Sequence, residues 1–278
     1  MSRVLITGAA SGLGAALASA FEGRGDEVLR TDLAGADLTL DVTSDDDWAA
    51  ALAHVERTWG GLDVLVNNAG VAGGGRLDVA TIDEWRWITE INLFGVVRGI
   101  ATFVPMFKRQ RSGAIVNTAS LAGLVHPAGM ASYNAVKAAV VALTETTGHE
   151  LAAYGVTAHA VCPSYFRTKL MSSMQGRDET LGKVIASLVE SSPITADDIA
   201  AAVLAGLDRG EELIVPDQPA RDAYALKLGD RAAYDQVMRA QAARLDSLDP
   251  KGGRGEHPTT SSPPPLRSSA EERRGDPA

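Results

Sequence analysis

The chain has 278 residues, 45% hydrophobic and 22% charged, with a formal net charge of -9 and one cysteine. This suits one large α/β unit or two small ones, and the acidic balance argues against nucleic acid or an anionic membrane as the main partner, because both need a basic face. Cys162 alone rules out an internal disulfide and a multi-cysteine metal site, and it reads as a small buried apolar residue.

Strand and helix patterns alternate from the start. Val4, Leu5 and Ile6 form a short apolar run that ends at Gly8, the pattern of a buried strand. A single Arg3 precedes it and a glycine-rich turn follows at once, so the N-terminus reads as a first strand and helix rather than a signal peptide. Leu13, Leu17, Ala20 and Phe21 share one face of a helix over 12–23, which Gly23 and Gly25 break. Residues 27–31 predict a second strand and 38–42 a third. Ser44 caps a helix over 44–59; residues 63–66 predict a strand and 83–109 one long helix. A strand over 114–117, a helix over 130–153 and a strand over 156–161 follow. Residues 165–192 break the rhythm with Met171, Met174 and many serines, and read as a mobile helical flap. Thr195 to Asp198 opens a helix with a capping box; it runs to about 207 and ends at Gly210. Residues 213–215 predict a last strand, and 219–246 are amphipathic.

This alternation needs crossover connections. It predicts a doubly wound parallel sheet of Rossmann type, about seven strands with helices on both faces. The reading is one catalytic unit over 1–249, including the flap. From Pro250 onward the composition turns to proline, glycine and serine without Val, Ile, Met or aromatic residues, so 250–278 reads as a disordered tail. No apolar run reaches the roughly 18 residues of a spanning helix, and a cytoplasmic location is expected.

The first chemical signal is Thr7-Gly8-Ala9-Ala10-Ser11-Gly12-Leu13-Gly14, between a strand and a helix. Glycines there let the backbone approach a pyrophosphate, which rests on free N–H groups at the helix start. The spacing is G-x-x-x-G-x-G rather than G-x-G-x-x-G. Asp32, ending the second strand, can accept hydrogen bonds from the ribose hydroxyls of an adenosine. Asn67-Asn68-Ala69-Gly70 follows another apolar strand and predicts a turn at the C-terminal edge of the sheet, where open α/β sheets bind ligands.

Ser120, Tyr133 and Lys137 carry the strongest signal. Tyr133 and Lys137 stand four apart in a helix and share a face. A free tyrosine titrates near pH 10, and lowering that by roughly three units requires about 4 kcal/mol. An adjacent ammonium and a nicotinamide positive charge could together supply this. Ser120, after the strand at 114–117, could hold a substrate oxygen.

With these motifs together, the chain resembles the short-chain dehydrogenase/reductase family, in its common form, over about residues 3–216. The matches are Thr7 to Gly14, Asn67 to Gly70, Ser120, Tyr133 to Lys137, and Asn92 within Ile91-Asn92-Leu93-Phe94-Gly95. The resemblance implies an NAD-dependent oxidoreductase acting on a CH–OH group, with catalytic Asn92, Ser120, Tyr133 and Lys137. Tyr133 would be the acid/base; Lys137 would tune it and bind the nicotinamide ribose. Ser120 would position the substrate oxygen, and Asn92 would hold a water that relays protons from Lys137. Cofactor contacts are implied for Thr7, Gly8, Ser11, Gly12, Leu13, Gly14, Asp32, Asp41, Val42, Asn68, Ala69, Gly70, Tyr133, Lys137, Pro163, Phe166 and Thr168. Asp41-Val42 matches an acid-plus-apolar pair that contacts adenine.

The chain departs from the family at Pro163-Ser164, where Pro-Gly is usual, which puts an extra hydroxyl near the nicotinamide. Its C-terminal end, Leu213 to Gln218 and a long helix, is also unusual, so the expected homo-oligomer is left open between dimer and tetramer. NAD is expected over NADP. A 2′-phosphate would sit beside Asp32, at about 4 kcal/mol per unit charge before screening, and neither Ser11 nor Leu33 supplies a cation. Arg30 shares the face of Asp32 and could pair with it. Tyr165, Phe166, Met171, Met174 and Leu181, with Leu121, Leu124 and Met130, suggest an apolar pocket for a small hydrophobic alcohol or ketone. His126 reads equally as a pocket or a surface residue, and the scattered histidines show no metal spacing. The alternative is a non-catalytic NAD(P)-sensing or scaffold protein of the same fold; neither substrate nor reaction direction is legible.

Overall fold

A computed structural model describes residues 1–248 except 169, 171 and 172. The expected tail at 250–278 and the flap residue Met171 therefore lie outside the described residues.

The chain runs β1 (Arg3–Thr7), α1 (Gly12–Gly23), β2 (Glu27–Asp32), β3 (Leu38–Thr39), α2 (Asp45–Trp59) and β4 (Val64–Asn67). Next come α3 (Ile82–Thr89), a π-helical turn (Glu90–Phe94) and α4 (Gly95–Gln110). β5 (Gly113–Thr118), the short α5 (Ala122–Val125), α6 (Ala131–Leu151) and β6 (Val156–Val161) follow. α7 (Glu179–Glu190), α8 (Ala196–Asp208), β7 (Leu213–Ile214), α9 (Gln218–Gly229) and α10 (Arg231–Leu248) complete the described chain.

The strands form one seven-stranded sheet in the order β3-β2-β1-β4-β5-β6-β7, and every pairing is parallel. Alternation along β1 shows how it is covered. Val4 and Ile6 face a core shared with Leu17 and Phe21 of α1 and Val203 of α8. Leu5 points the other way, into a core with Trp48 of α2 and Phe103 and Phe107 of α4. A strand buried on both faces must be apolar at every position, which is why its sequence reads as a continuous run.

The boundaries differ from the sequence reading at three places. The third strand stops at Thr39, because Asp41 accepts hydrogen bonds from the Thr43 N–H (2.9 Å) and hydroxyl (2.8 Å) and bends the chain. The predicted long helix is interrupted by the π turn that carries Asn92. The amphipathic stretch is two helices, since Asp230 leaves helical geometry and caps α10 through the Ala233 N–H at 3.0 Å. The stretch Ile82–Gln110 is long and apolar enough by composition to cross a bilayer. Its Phe103, Met106 and Phe107, each at most 3% exposed, are packed into the core against the sheet instead.

Candidate active site

The strand order reverses between β1 and β4, and a crevice opens there at the C-terminal ends of the strands. It holds a cleft of about 930 Å³.

At one end lies the glycine-rich turn. Gly8 has φ 68°, a left-handed value that favours glycine. A Cβ on Gly14 would stand 2.1 Å from the Gly8 carbonyl oxygen, so no other residue fits without moving the turn. Ser11, extended, precedes α1 without capping it through its side chain, and α1 has no acid in its first turn. Its first N–H groups are thus left for an anion. The turn is fastened to its neighbour: the Thr7 hydroxyl accepts from the Asn68 and Ala69 N–H groups, both at 3.0 Å, and Asn68 Nδ2 donates to the Thr7 carbonyl at 3.0 Å.

Asp32 stands at the rim. Its carboxylate accepts from the Ala10 N–H (3.0 Å) and the Leu33 N–H (2.7 Å). Arg30 does not pair with it. The guanidinium reaches over α1 instead, 2.7 Å from Glu22. Gly8, Ser11, Gly12, Leu13, Asp32, Asp41, Val42, Asn68, Ala69, Gly70, Pro163, Phe166 and Thr168 all line the cleft. Thr7, Gly14 and Asn92 do not lie on its wall. Thr7 and Asn92 are at most 2% exposed and turn their polar groups onto neighbouring backbone, and Gly14 is packed on Gly8. With donors for a pyrophosphate, an acceptor for a ribose and no Cβ in the way, this end fits a dinucleotide.

At the floor, Ser120 follows β5, and Tyr133 and Lys137 project from α6. Tyr133 is 9% and Lys137 5% exposed. Ser120 Oγ accepts from the Ala122 N–H at 3.1 Å, and its hydroxyl lies near enough to the Tyr133 phenol to favour the ionised form. Lys137 Nζ donates to the Thr118 carbonyl at 2.8 Å and lies 5.7 Å from the Tyr133 ring centroid. Burial pushes the Tyr133 phenol up to about 12, against the pull of Ser120. Burial also pushes Lys137 down to about 8. The sequence expectation is that the ammonium and a nicotinamide charge together lower the phenol; in the structure burial sets the direction, upward, and Ser120 is the pull against it. Asn92, fully buried on the π turn, clamps Val71 with both arms: Nδ2 donates to its carbonyl (2.9 Å) and Oδ1 accepts from its N–H (2.8 Å).

Ser164 also departs from its expectation. Its hydroxyl donates to Asp217 at 2.6 Å, beside its backbone N–H at 2.9 Å, so it is directed under α9 rather than offered to a nicotinamide. Asp217 is 6% exposed and also caps α9 at the Ala220 N–H.

The far end of the cleft is apolar. Leu121, Met130, Tyr165 and Met174 line it as expected. Leu124 and Leu181, at 7% and 2% exposure, are packed into the core behind it. His126 is off the wall as well; its Nδ1 meets Lys227 Nζ at 3.0 Å on the outer side. The sequence reading missed Trp87, Ile185, Val189 and Gln241. Ile185 and Val189, four apart in α7, were findable as one apolar helix face; nothing in the sequence marked Gln241.

A family model described as short chain dehydrogenase matches residues 2–179. The 2-(R)-hydroxypropyl-CoM dehydrogenase of Xanthobacter autotrophicus is 34% identical over 232 residues, 75% of this chain and 93% of the relative. A Burkholderia phymatum short chain dehydrogenase/reductase, solved with NAD, aligns with TM-score 0.76 and 27% identity over 84% of this chain and 94% of that one. A Burkholderia cenocepacia short chain dehydrogenase, solved with NADP, aligns with TM-score 0.73 and 26% identity over 85% and 97%.

Proposed function

The chain belongs to the short-chain dehydrogenase family of oxidoreductases, and from that premise we propose that it moves a hydride between NAD(H) and a hydrophobic secondary alcohol or ketone, with Tyr133 as the general acid/base. One observation carries this reading. The buried Tyr133 and Lys137 and the half-buried Ser120 share a single cleft with the glycine turn and Asp32.

The glycine turn and the start of α1 would seat the pyrophosphate, Asp32 the adenosine ribose, Asp41 and Val42 the adenine edge, and Lys137 the nicotinamide ribose. A bound dinucleotide would supply the hydride acceptor or donor, and in its oxidised form a positive charge to the site. Ser120 donates to the substrate oxygen and fixes it beside Tyr133. Tyr133 gives that oxygen its proton in reduction and takes it in oxidation. With a phenol raised by burial, the cationic Lys137 and the loaded cleft must bring it back toward neutral pH. Asn92 uses one N–H and one lone pair on Val71; the others remain for a water that relays the proton from Lys137.

NAD is the proposed cofactor rather than NADP. Asp32 faces the position of a 2′-phosphate, and Arg30 is engaged by Glu22. The test is NADH consumption against a panel of ketones, with Tyr133→Phe as control. Turnover in the wild type that the variant lacks is expected. A variant retaining more than about a tenth of the rate would overturn the assignment, given the roughly 10²-fold minimum for acid/base work.

A further inference from the structure

α10 forms a wall of the substrate end that the dehydrogenase reading does not use. Two anchors hold it across residues 125–129. The Tyr234 hydroxyl donates to the Val125 carbonyl. Leu245, 3% exposed, packs so closely that a Cβ on Gly129 would lie 2.9 Å from its Cδ1. Gln241, one helical turn before Leu245, lines the cleft between these anchors. Among the described residues its amide makes no hydrogen bond. Tyr165 lines the cleft as well, and among the described residues its hydroxyl hydrogen-bonds the Met130 thioether alone, at 3.6 Å, a weak acceptor.

The surroundings limit what these two groups can meet. Trp87, Ile185 and Val189 offer no polar partner apart from the Trp87 indole. Arg86 and Glu90 are the charged side chains at this end, and each is engaged: Arg86 with Asp83 at 3.0 Å, Glu90 with Arg98 at 2.7 Å. Among the described residues, a carboxylate or phosphate on the substrate would find no cation there without an acidic partner. A wholly apolar substrate would desolvate the Gln241 amide without satisfying it.

Resting on the dehydrogenase reading, we infer that Gln241 and Tyr165 form a distal polar subsite. The substrate is then an apolar secondary alcohol or ketone with a second, uncharged oxygen remote from the reacting carbon. A site built to hydrogen-bond such an oxygen rejects the analogue that lacks it more strongly than an apolar pocket rejects a missing methylene.

Three probes test this: a decalin monoketone, the matching decalindione, and a decalin ketone bearing a carboxylate. Each is assayed for kcat/KM with NADH and, separately, for the thermal shift it adds to the NADH-loaded protein. The wild type should favour the dione by about tenfold or more, mainly through KM, as one net hydrogen bond allows. Gln241→Leu, of similar volume and helix propensity, should erase that preference by bringing kcat/KM for the dione down to that of the monoketone. Tyr165→Phe should reduce it in part. Equal efficiency for dione and monoketone in the wild type overturns the subsite, as does an equal loss on both in Gln241→Leu. Preference for the carboxylate that disappears in Arg86→Ala also overturns it. A dione-specific thermal shift that needs Gln241, with no turnover of any probe, sustains the subsite and overturns the dehydrogenase reading instead.

Discussion

The two ends of the cleft are built by different means. The nucleotide end is made of backbone: a turn whose glycines admit close approach, an uncapped helix start, and one carboxylate held by two N–H groups. The substrate end is made of side chains from α3, α6, α7 and α10, brought together across long sequence separations. Backbone geometry of the first kind serves any dinucleotide, whereas the second kind varies with each side chain. The proposed chemistry sits where the two meet, at Ser120, Tyr133 and Lys137.

That contrast predicts where substitutions act. The largest effect belongs to the meeting point: Tyr133→Phe should lower kcat by roughly 10²- to 10⁴-fold and leave the NAD dissociation constant nearly unchanged, by steady-state kinetics and fluorescence titration. Lys137→Ala should also weaken NAD, which separates the two roles.

At the nucleotide end, the ratio of kcat/KM for NAD over NADP should be about 10²- to 10³-fold, after screening of a bare repulsion near 4 kcal/mol per charge. Asp32→Ala should collapse the ratio. An unchanged ratio in the variant would contradict an end whose selectivity rests on that carboxylate.

The substrate end should instead be sensitive through stability. Arg76 Nε lies 2.8 Å from Asp178, whose side chain has no exposure, and this pair ties the segment after β4 to the start of α7. Burial raises the Asp178 carboxyl, but the Arg76 guanidinium and the Arg76 and Leu181 N–H groups outweigh it and hold the acid below its ordinary range. A depressed folded pKa gives stability that is present above the unfolded value near 4 and is lost as pH falls through the folded one. Asp178→Asn should therefore cost about 3 kcal/mol at pH 7, from leaving a charge half-paired, and the deficit should shrink in acid. A deficit that stays constant from pH 7 to pH 3 would show that Asp178 acts through shape alone.

A smaller effect is expected where the ends are joined. Ser164→Ala removes one charge-assisted hydrogen bond to Asp217, worth about 1.5–3 kcal/mol at most, and should lower the Tm by several degrees with little change in kcat. Ser164→Thr should restore part of the Tm. The smallest effect is none: truncation after Asp249 should leave Tm and activity unchanged, since residues 250–278 offer nothing apolar enough to dock.

The same contrast explains what the sequence revealed. The nucleotide end and the catalytic floor were legible because their signals are local: Gly8, Gly12 and Gly14 in one turn, Tyr133 and Lys137 on one helical face. The parallel sheet was legible from apolar runs such as Val4 to Ile6. The substrate wall was not. Leu124 and Leu181 look like lining residues, and only the packing sends them into the core. Gln241 is one polar residue on an amphipathic helix until α10 is seen to cross residues 125–129. Ser164 was noticed as a departure, but its partner Asp217 lies far along the chain, so the hydroxyl was pointed the wrong way.

The anchoring of α10 also sets an order of events at the ribosome. Chains emerge and fold from the N-terminus, and every catalytic side chain, from Ser120 to Lys137, precedes α10 by the length of several elements. The residues proposed to hold the dinucleotide and to shuttle the proton are therefore all synthesised before the α10 side of the cleft. Under the proposed function, the groups that set substrate selectivity include the last to be synthesised, and a chain stalled before Arg231 would lack the side of the cleft that Gln241 lines.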